Sequence, residues 1–172
     1  TQNIADFGTG SGCILLSLLA ENKLWHGQGI DRSAEALQIA AQNARELGLE
    51  AQVSWLKASW FDDNLASALR LPLDMLVSNP PYIPVADIPA LAPEVKDYDP
   101  LSALDGGADG LDHYRQIASL APALLKTGGW VVLEVGVGQA EDVSRIFAGS
   151  GLQPFKIVPD LAGIDRCVIL KK

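Results

Sequence analysis

Only two cysteines, Cys13 and Cys167, occur in the 172 residues, and neither sits in a CxxC pair or beside a histidine. A disulfide framework and a thiolate zinc site are excluded, no other metal site is expected, and a reducing, cytoplasmic setting fits. Positive charge is scarce too: 13 Lys+Arg stand against 21 Asp+Glu, for a formal net charge of −8 and an isoelectric point near 4.6. Such a chain offers no broad basic face to a phosphate backbone, so direct nucleic-acid binding is not expected. Apolar runs such as residues 13–16 and 130–133 are far shorter than the roughly 20 residues of a membrane span. No repeat, low-complexity tract or Pro/Ser linker divides the chain, and 48% hydrophobic residues with a mean hydropathy of +0.16 supply one core. It opens on Thr1 with no charged or signal-like leader and enters an apolar strand within a few residues, so it reads as a piece of a longer protein.

Apolar strand-like runs alternate with amphipathic segments from end to end, which predicts an α/β fold with a largely parallel sheet. A strand at residues 3–7 leads into glycines and a helix with apolar positions Ile14, Leu15, Leu18 and Leu19. A second strand ends at Asp31, followed by a helix capped by Ser33, faced by Leu37, Ala40, Ala44 and Leu47, and stopped at Gly48. Strand three is expected at 52–56, a short helix at 62–69 and strand four at 73–78, where Asn79-Pro80-Pro81 ends it because proline cannot donate to a ladder. Residues 82–110 form a connection far longer than usual for α/β proteins, a mark of function. A helix through Tyr114, Ile117, Ala118, Ala121, Leu124 and Leu125 is predicted to end at Gly128-Gly129, with strand five at 130–135. Val143, Ile146 and Phe147 mark another helix, and strands at 155–158 and 167–170 close a doubly wound sheet of seven as a hairpin.

Asp6-Phe7-Gly8-Thr9-Gly10-Ser11-Gly12 falls at a strand-to-helix turn, where glycines let a ligand approach the backbone at a helix N-terminus. The spacing is GxGxG. A dinucleotide fingerprint would want Gly or Ala where Cys13 stands, and the Gly-Lys-Ser/Thr of a P-loop is absent. Asp31, nineteen residues beyond Gly12, would on its own be read as a cap or turn residue; together with the glycine loop it is better read as a ribose ligand.

Asn79-Pro80-Pro81-Tyr82 can be a strand stop with a packed aromatic. Strand four should lie beside strand one at the topological switch point, however, which turns the tetrapeptide toward the cofactor. A planar NH2 group delocalises its lone pair. To attack an electrophile, its two hydrogens must be held while the lone pair turns to the reacting carbon. The Asn79 side-chain oxygen and Pro80 carbonyl can be those acceptors, consecutive prolines stiffen the turn, and Tyr82 can pack on a planar amide or base. Positioning then supplies most of the catalysis.

GxGxG, the acidic end of strand two and NPPY together resemble the class I S-adenosylmethionine-dependent methyltransferases that modify planar NH2 groups. Downstream, Ile83-Pro84, Pro93-Glu94-Val95, Tyr98-Asp99-Pro100, Ala103-Leu104, Gly106-Gly107, Asp109-Gly110-Leu111 and Tyr114-Arg115 narrow this to the release-factor glutamine methyltransferases of the HemK type. So do Leu133-Glu134, Gly136, Gln139 and the stretch from Asp160 to Arg166. The resemblance covers the whole chain. It implies a Rossmann-like class I methyltransferase fold, mostly parallel with an antiparallel C-terminal strand, with residues 1–172 as the catalytic domain and the family's N-terminal helical domain absent. It implies S-adenosylmethionine bound by Gly8, Thr9, Gly10, Ser11, Gly12, Asp31, Trp60 and Asn79. It also implies an acceptor glutamine, in the Gly-Gly-Gln motif of a peptide chain release factor, bound by Asn79, Pro80, Pro81 and Tyr82, with Asn79, Pro80 and Tyr82 acting in catalysis. A cytoplasmic monomer is expected. Ser59 stands where the family usually has Asp, so recognition of the adenine amino group is expected to be weaker or met by a backbone group.

His26 and His113 are isolated and read as satisfied surface or turn residues; Cys13 is expected to be packed. Glu94, Asp97, Asp99, Asp105 and Asp109 either solvate the long loop or form a rim for a basic protein surface. The rival readings are an adenine or guanine amino methyltransferase acting on nucleic acid, disfavoured by the acidic charge, and an inactive partner subunit of the same fold. A dinucleotide oxidoreductase is more distant still.

Overall fold

The computed structural model describes residues 2–96 and 100–172. Seven strands form one sheet: β1 (Gln2–Phe7), β2 (Trp25–Asp31), β3 (Val53–Lys57), β4 (Leu73–Ser78), β5 (Leu125–Glu134), β6 (Gln153–Pro159) and β7 (Asp165–Lys171). Their order is β3-β2-β1-β4-β5-β7-β6, parallel through β5, with β7 antiparallel to both of its neighbours. The order reverses between β1 and β4, the crevice where doubly wound sheets bind ligands.

The helices are α1 (Cys13–Glu21), α2 (Ala34–Glu46), α3 (Leu65–Ala68), α4 (Pro93–Lys96), α5 (Leu101–Leu104), α6 (Asp112–Leu124) and α7 (Ala140–Gly149). Strand periodicity sorts the core into two layers. Ile4 and Val77 pack with Leu15, Leu16, Leu19 and Ala44 of α1 and α2, whereas Phe7, Leu76, Val131 and Leu133 pack with Ile117, Ala121 and Phe147 of α6 and α7. Ser33 caps α2, its hydroxyl accepting from the Ala36 amide at 3.1 Å, and Gly48 beyond the helix has φ +69°.

Some expectations give way. Cys13 is exposed: burial of Leu15, Leu16 and Leu19 turns it outward. Ile14, 40% exposed, lines an apolar groove with Leu18, Met75 and Val132 rather than the core, and Leu47 is 60% exposed. Gly128-Gly129 does not stop a helix. The helix ends at Leu124, and both glycines lie within β5, where the β4–β5 register shifts and Gly128 adopts φ +77°. A glycine pair serves a bulged strand as readily as a helix end. The long connection holds short helical turns and a bridge between Ile83 and Asp105. Asp97 and Asp99 of the acidic rim, and Tyr98, lie outside the described residues.

Candidate active site

The glycine loop is built by backbone bonds. The Gly8 and Thr9 amides both donate to the Ile30 carbonyl, at 2.9 and 3.0 Å, tying the loop to the end of β2. Gly8, Gly10 and Gly12 all have positive φ, a conformation that side-chain-bearing residues resist. A Cβ on Gly8 would meet the Trp60 ring at 3.3 Å, so the backbone there runs directly beneath the indole. Asp31 closes the turn: its Oδ2 accepts from the Gly10 amide and its Oδ1 from the Ser33 amide, both at 2.9 Å.

Under the loop lies Asp6, 1% exposed, with Oδ2 accepting from the Thr9 hydroxyl at 2.7 Å and Oδ1 unpartnered among the described residues. Burial is the main reason its carboxyl is pushed up from 3.8 to about 6.

At the end of β4 the Ser78 hydroxyl donates to the Phe7 carbonyl at 2.7 Å, pinning β4 to β1 one residue before Asn79. Asn79 and Pro81 then share with Gly8, Gly10, Asp31 and Trp60 the wall of a cavity of about 270 Å³, which also admits Ser59 and His113. Pro80 is buried and stays outside the lining. Thr9 is turned inward to Asp6; Ser11 and Gly12 stay outside the lining. Ser59 uses its hydroxyl to accept from the Phe61 amide at 3.2 Å.

Tyr82 is clamped from three directions. Arg166 donates to its hydroxyl at 2.9 Å and to Glu134 at 3.2 Å, with the guanidinium carbon 5.4 Å from the ring centroid. Gln139 donates to the Tyr82 carbonyl at 2.9 Å while its side-chain oxygen accepts from the Gly136 amide. Gly106 and Gly110 press on the same backbone, where a Cβ would come within 2.8 and 2.4 Å of Tyr82 atoms. The hydrogen bond to Tyr82, more than any other influence, raises the Arg166 guanidinium further, keeping it charged.

His113 is satisfied, as expected, but it belongs to the cavity wall and hydrogen-bonds Trp60, a role an isolated histidine does not announce. Gln139 and Arg166 could be found only through the family resemblance, because their partner lies 57 and 84 residues away.

The family described as Methyltransferase small domain matches residues 1–89, the half that carries the glycine loop, Asp31 and NPPY. The chain belongs to the methyltransferase small domain family. It is similar to the release factor glutamine methyltransferase of Rhodospirillum rubrum, 50% identical over 169 residues, covering 98% of this chain and 50% of that protein. The protein of the same name from Geobacter sulfurreducens is 44% identical over 96% of this chain and 56% of its own length. The chain thus spans about half the length of the curated relatives it matches. Among solved structures, a methyltransferase from Pyrococcus furiosus superposes with a TM-score of 0.72 at 14% identity, covering 99% of this chain and 75% of that one. TrmN from Thermus thermophilus gives 0.67 at 21%, covering 99% and 44%. These two likenesses show the class I methyltransferase fold. No helix among the described residues is long and apolar enough to cross a membrane, and they contain no cluster of three His, Cys, Asp or Glu that could hold a metal.

Proposed function

We propose that this chain is the catalytic part of an enzyme that methylates the side-chain amide nitrogen of a glutamine, that of the Gly-Gly-Gln motif in peptide chain release factors. The observation that carries this reading is the placement of Asn79 and Pro81 on the same cavity wall as Gly8, Gly10 and Asp31. One pocket thereby offers a nucleotide-type cradle and an amide-orienting turn.

The residues fit S-adenosylmethionine. Gly10 has nothing within 4 Å of where a Cβ would stand, leaving the loop open to close approach, and Asp31 presents a carboxylate at the end of β2 suited to ribose hydroxyls. Trp60 supplies an apolar plane on the same wall. When bound, the cofactor supplies an electrophilic methyl group on a sulfonium sulfur.

The chain's own residues then orient the acceptor. The Asn79 side-chain oxygen and the Pro80 carbonyl accept the two amide hydrogens, which turns the nitrogen lone pair toward the methyl carbon. With S-adenosylmethionine bound, the sulfonium would give up its methyl to that nitrogen and keep the carbon–sulfur bonding pair, and the nitrogen would release one proton to water. Tyr82, fixed by Arg166 and Gln139, sets the direction in which the tetrapeptide leaves β4. The contribution is positioning, which can supply several kcal/mol of a barrier. Names of relatives that are 43–50% identical across nearly all of this chain support the release factor as acceptor.

Intact-protein mass spectrometry tests the proposal. An unmethylated release factor incubated with S-adenosylmethionine and the full-length protein should gain one methyl, whereas a factor with Gln changed to Glu in Gly-Gly-Gln should gain none. Equal gain in both, or none in either, contradicts it.

A further inference from the structure

Two residues one turn apart on α6 hold Trp60 at both ends. Gln116 donates from its side chain to the Trp60 carbonyl at 3.0 Å, and the Trp60 indole N–H meets His113 Nδ1 at 3.1 Å. An indole N–H only donates, so Nδ1 must be the unprotonated nitrogen. The hydrogen is then on Nε2, which lies 3.0 Å from the Asp105 carbonyl, a group that only accepts. The two partners therefore specify one state of the ring: neutral, with hydrogen on Nε2.

The two partners also belong to different parts of the site. Trp60 stacks on Phe7 at 3° between planes and 6.2 Å between centroids, above the glycine loop. Asp105 bridges to Ile83 immediately after NPPY, where the Ile83 amide donates to the Leu104 carbonyl and the Gly106 amide to the Ile83 carbonyl. His113 joins the cofactor wall to the acceptor loop.

We propose that His113 is a positioning residue whose neutral ring fixes the Trp60 indole against the cofactor cavity and ties it to the loop behind Tyr82, and that protonating the ring releases Trp60. A protonated ring has no acceptor for the indole N–H and sets a donor against it. The charged groups facing His113 are Asp105 before α6, Asp112 on α6 itself, and Arg32 from the turn after β2. Burial, aided by Arg32, outweighs the hydrogen bond to the Asp105 carbonyl and the two carboxylates and holds the imidazole below its ordinary 6.5, so the tie is complete at neutral pH and is lost as the pH falls below that value.

The test is the proton resonance of the Trp60 indole N–H in the protein without cofactor, followed from pH 8 to 5. It should move with a midpoint below 6.5 that coincides with the titration of the His113 ring. In His113→Phe, which keeps a ring but no acceptor, the resonance at pH 7.5 should shift and its exchange with solvent should quicken by about fivefold, the loss of one hydrogen bond. In His113→Gln, which offers an acceptor and a donor without titrating, it should stay near the wild-type position and be flat with pH. A resonance unchanged in His113→Phe, or one that ignores pH while the His113 ring titrates, overturns the proposal. Reading the cavity as an adenosyl site adds one consequence. S-adenosylhomocysteine should bind His113→Phe about fivefold more weakly than wild type at pH 7.5, with His113→Gln restored. Failure of S-adenosylhomocysteine to bind any of the three proteins counts against the cofactor reading and leaves the resonance test to decide the role of His113.

Discussion

The glycine loop and the Asn79–Pro81 turn border one cavity, while Tyr82 lies outside its lining, and the two are held in opposite ways. The first is local: residues 6–12 and 30–33 bond one another through backbone amides and two carboxylates, and Gly10 has open space around it. The second is assembled from afar. Tyr82 depends on Arg166, Gln139, Gly106 and Gly110, which lie 24 to 84 residues downstream and come together only when β5, α7 and β7 have docked. A cradle for a cofactor needs open backbone; an acceptor turn that must aim two oxygens needs rigidity from several sides.

Glycine substitutions should separate the two regions most sharply. Gly110→Ala places a Cβ 2.4 Å from the Tyr82 carbonyl oxygen at φ +76°, so overpacking and a left-handed backbone add. It should cost about 3–4 kcal/mol in chemical denaturation. At Gly10, where φ is +55° and nothing lies within 4 Å, only the conformational term applies, about 1 kcal/mol. Equal losses at the two sites would erase the distinction.

Next in size is a pH effect confined to the glycine loop. The folded value of Asp6, about 6, stands above its unfolded 3.8. Its contribution to stability is therefore complete below about pH 4 and is lost as the pH rises through 6, leaving an ionised carboxylate buried under the loop. Asp6→Asn keeps an oxygen for the Thr9 hydroxyl and does not titrate. Relative to that variant, the wild type should lose about 2–3 kcal/mol between pH 4 and 7, measured as the difference between their denaturation free energies. A constant difference across that range would place the titration elsewhere.

A smaller effect should isolate the acceptor side. Arg166→Met fills similar space but frees the Tyr82 hydroxyl and Glu134. Turnover should fall about tenfold, the worth of a charge-assisted hydrogen bond, with S-adenosylhomocysteine affinity unchanged. Loss of affinity in step with turnover would mean that the loops do not act separately.

The same contrast explains what the sequence discloses. Strand β4 is readable to the residue because prolines stop it, and the end of β2 because Asp31 is followed by the cap Ser33. The order of β1 and β4 at the switch point follows from alternating strands and helices, and Gly8, Gly10, Asp31, Trp60, Asn79 and Pro81 do share one wall. Burial of Thr9 against Asp6 was not readable, since a hydroxyl in a glycine loop faces ligand or core with equal ease. Nor was the bulged start of β5, because a glycine pair looks the same in a bulge as at a helix end. His113 carried no pattern; its meaning comes from Trp60, 53 residues earlier.

The most direct test of a cavity divided between cradle and acceptor turn is a paired measurement on Asn79→Ala and Asp31→Ala: S-adenosylhomocysteine affinity by calorimetry, and single-turnover methyl transfer to a release factor at saturating S-adenosylmethionine. Asn79→Ala should bind within about threefold of wild type yet transfer about 1,000-fold more slowly, whereas Asp31→Ala should lose about 30-fold in affinity and far less in transfer rate. Wild-type transfer by Asn79→Ala, or a loss of affinity in it matching that of Asp31→Ala, would contradict the account.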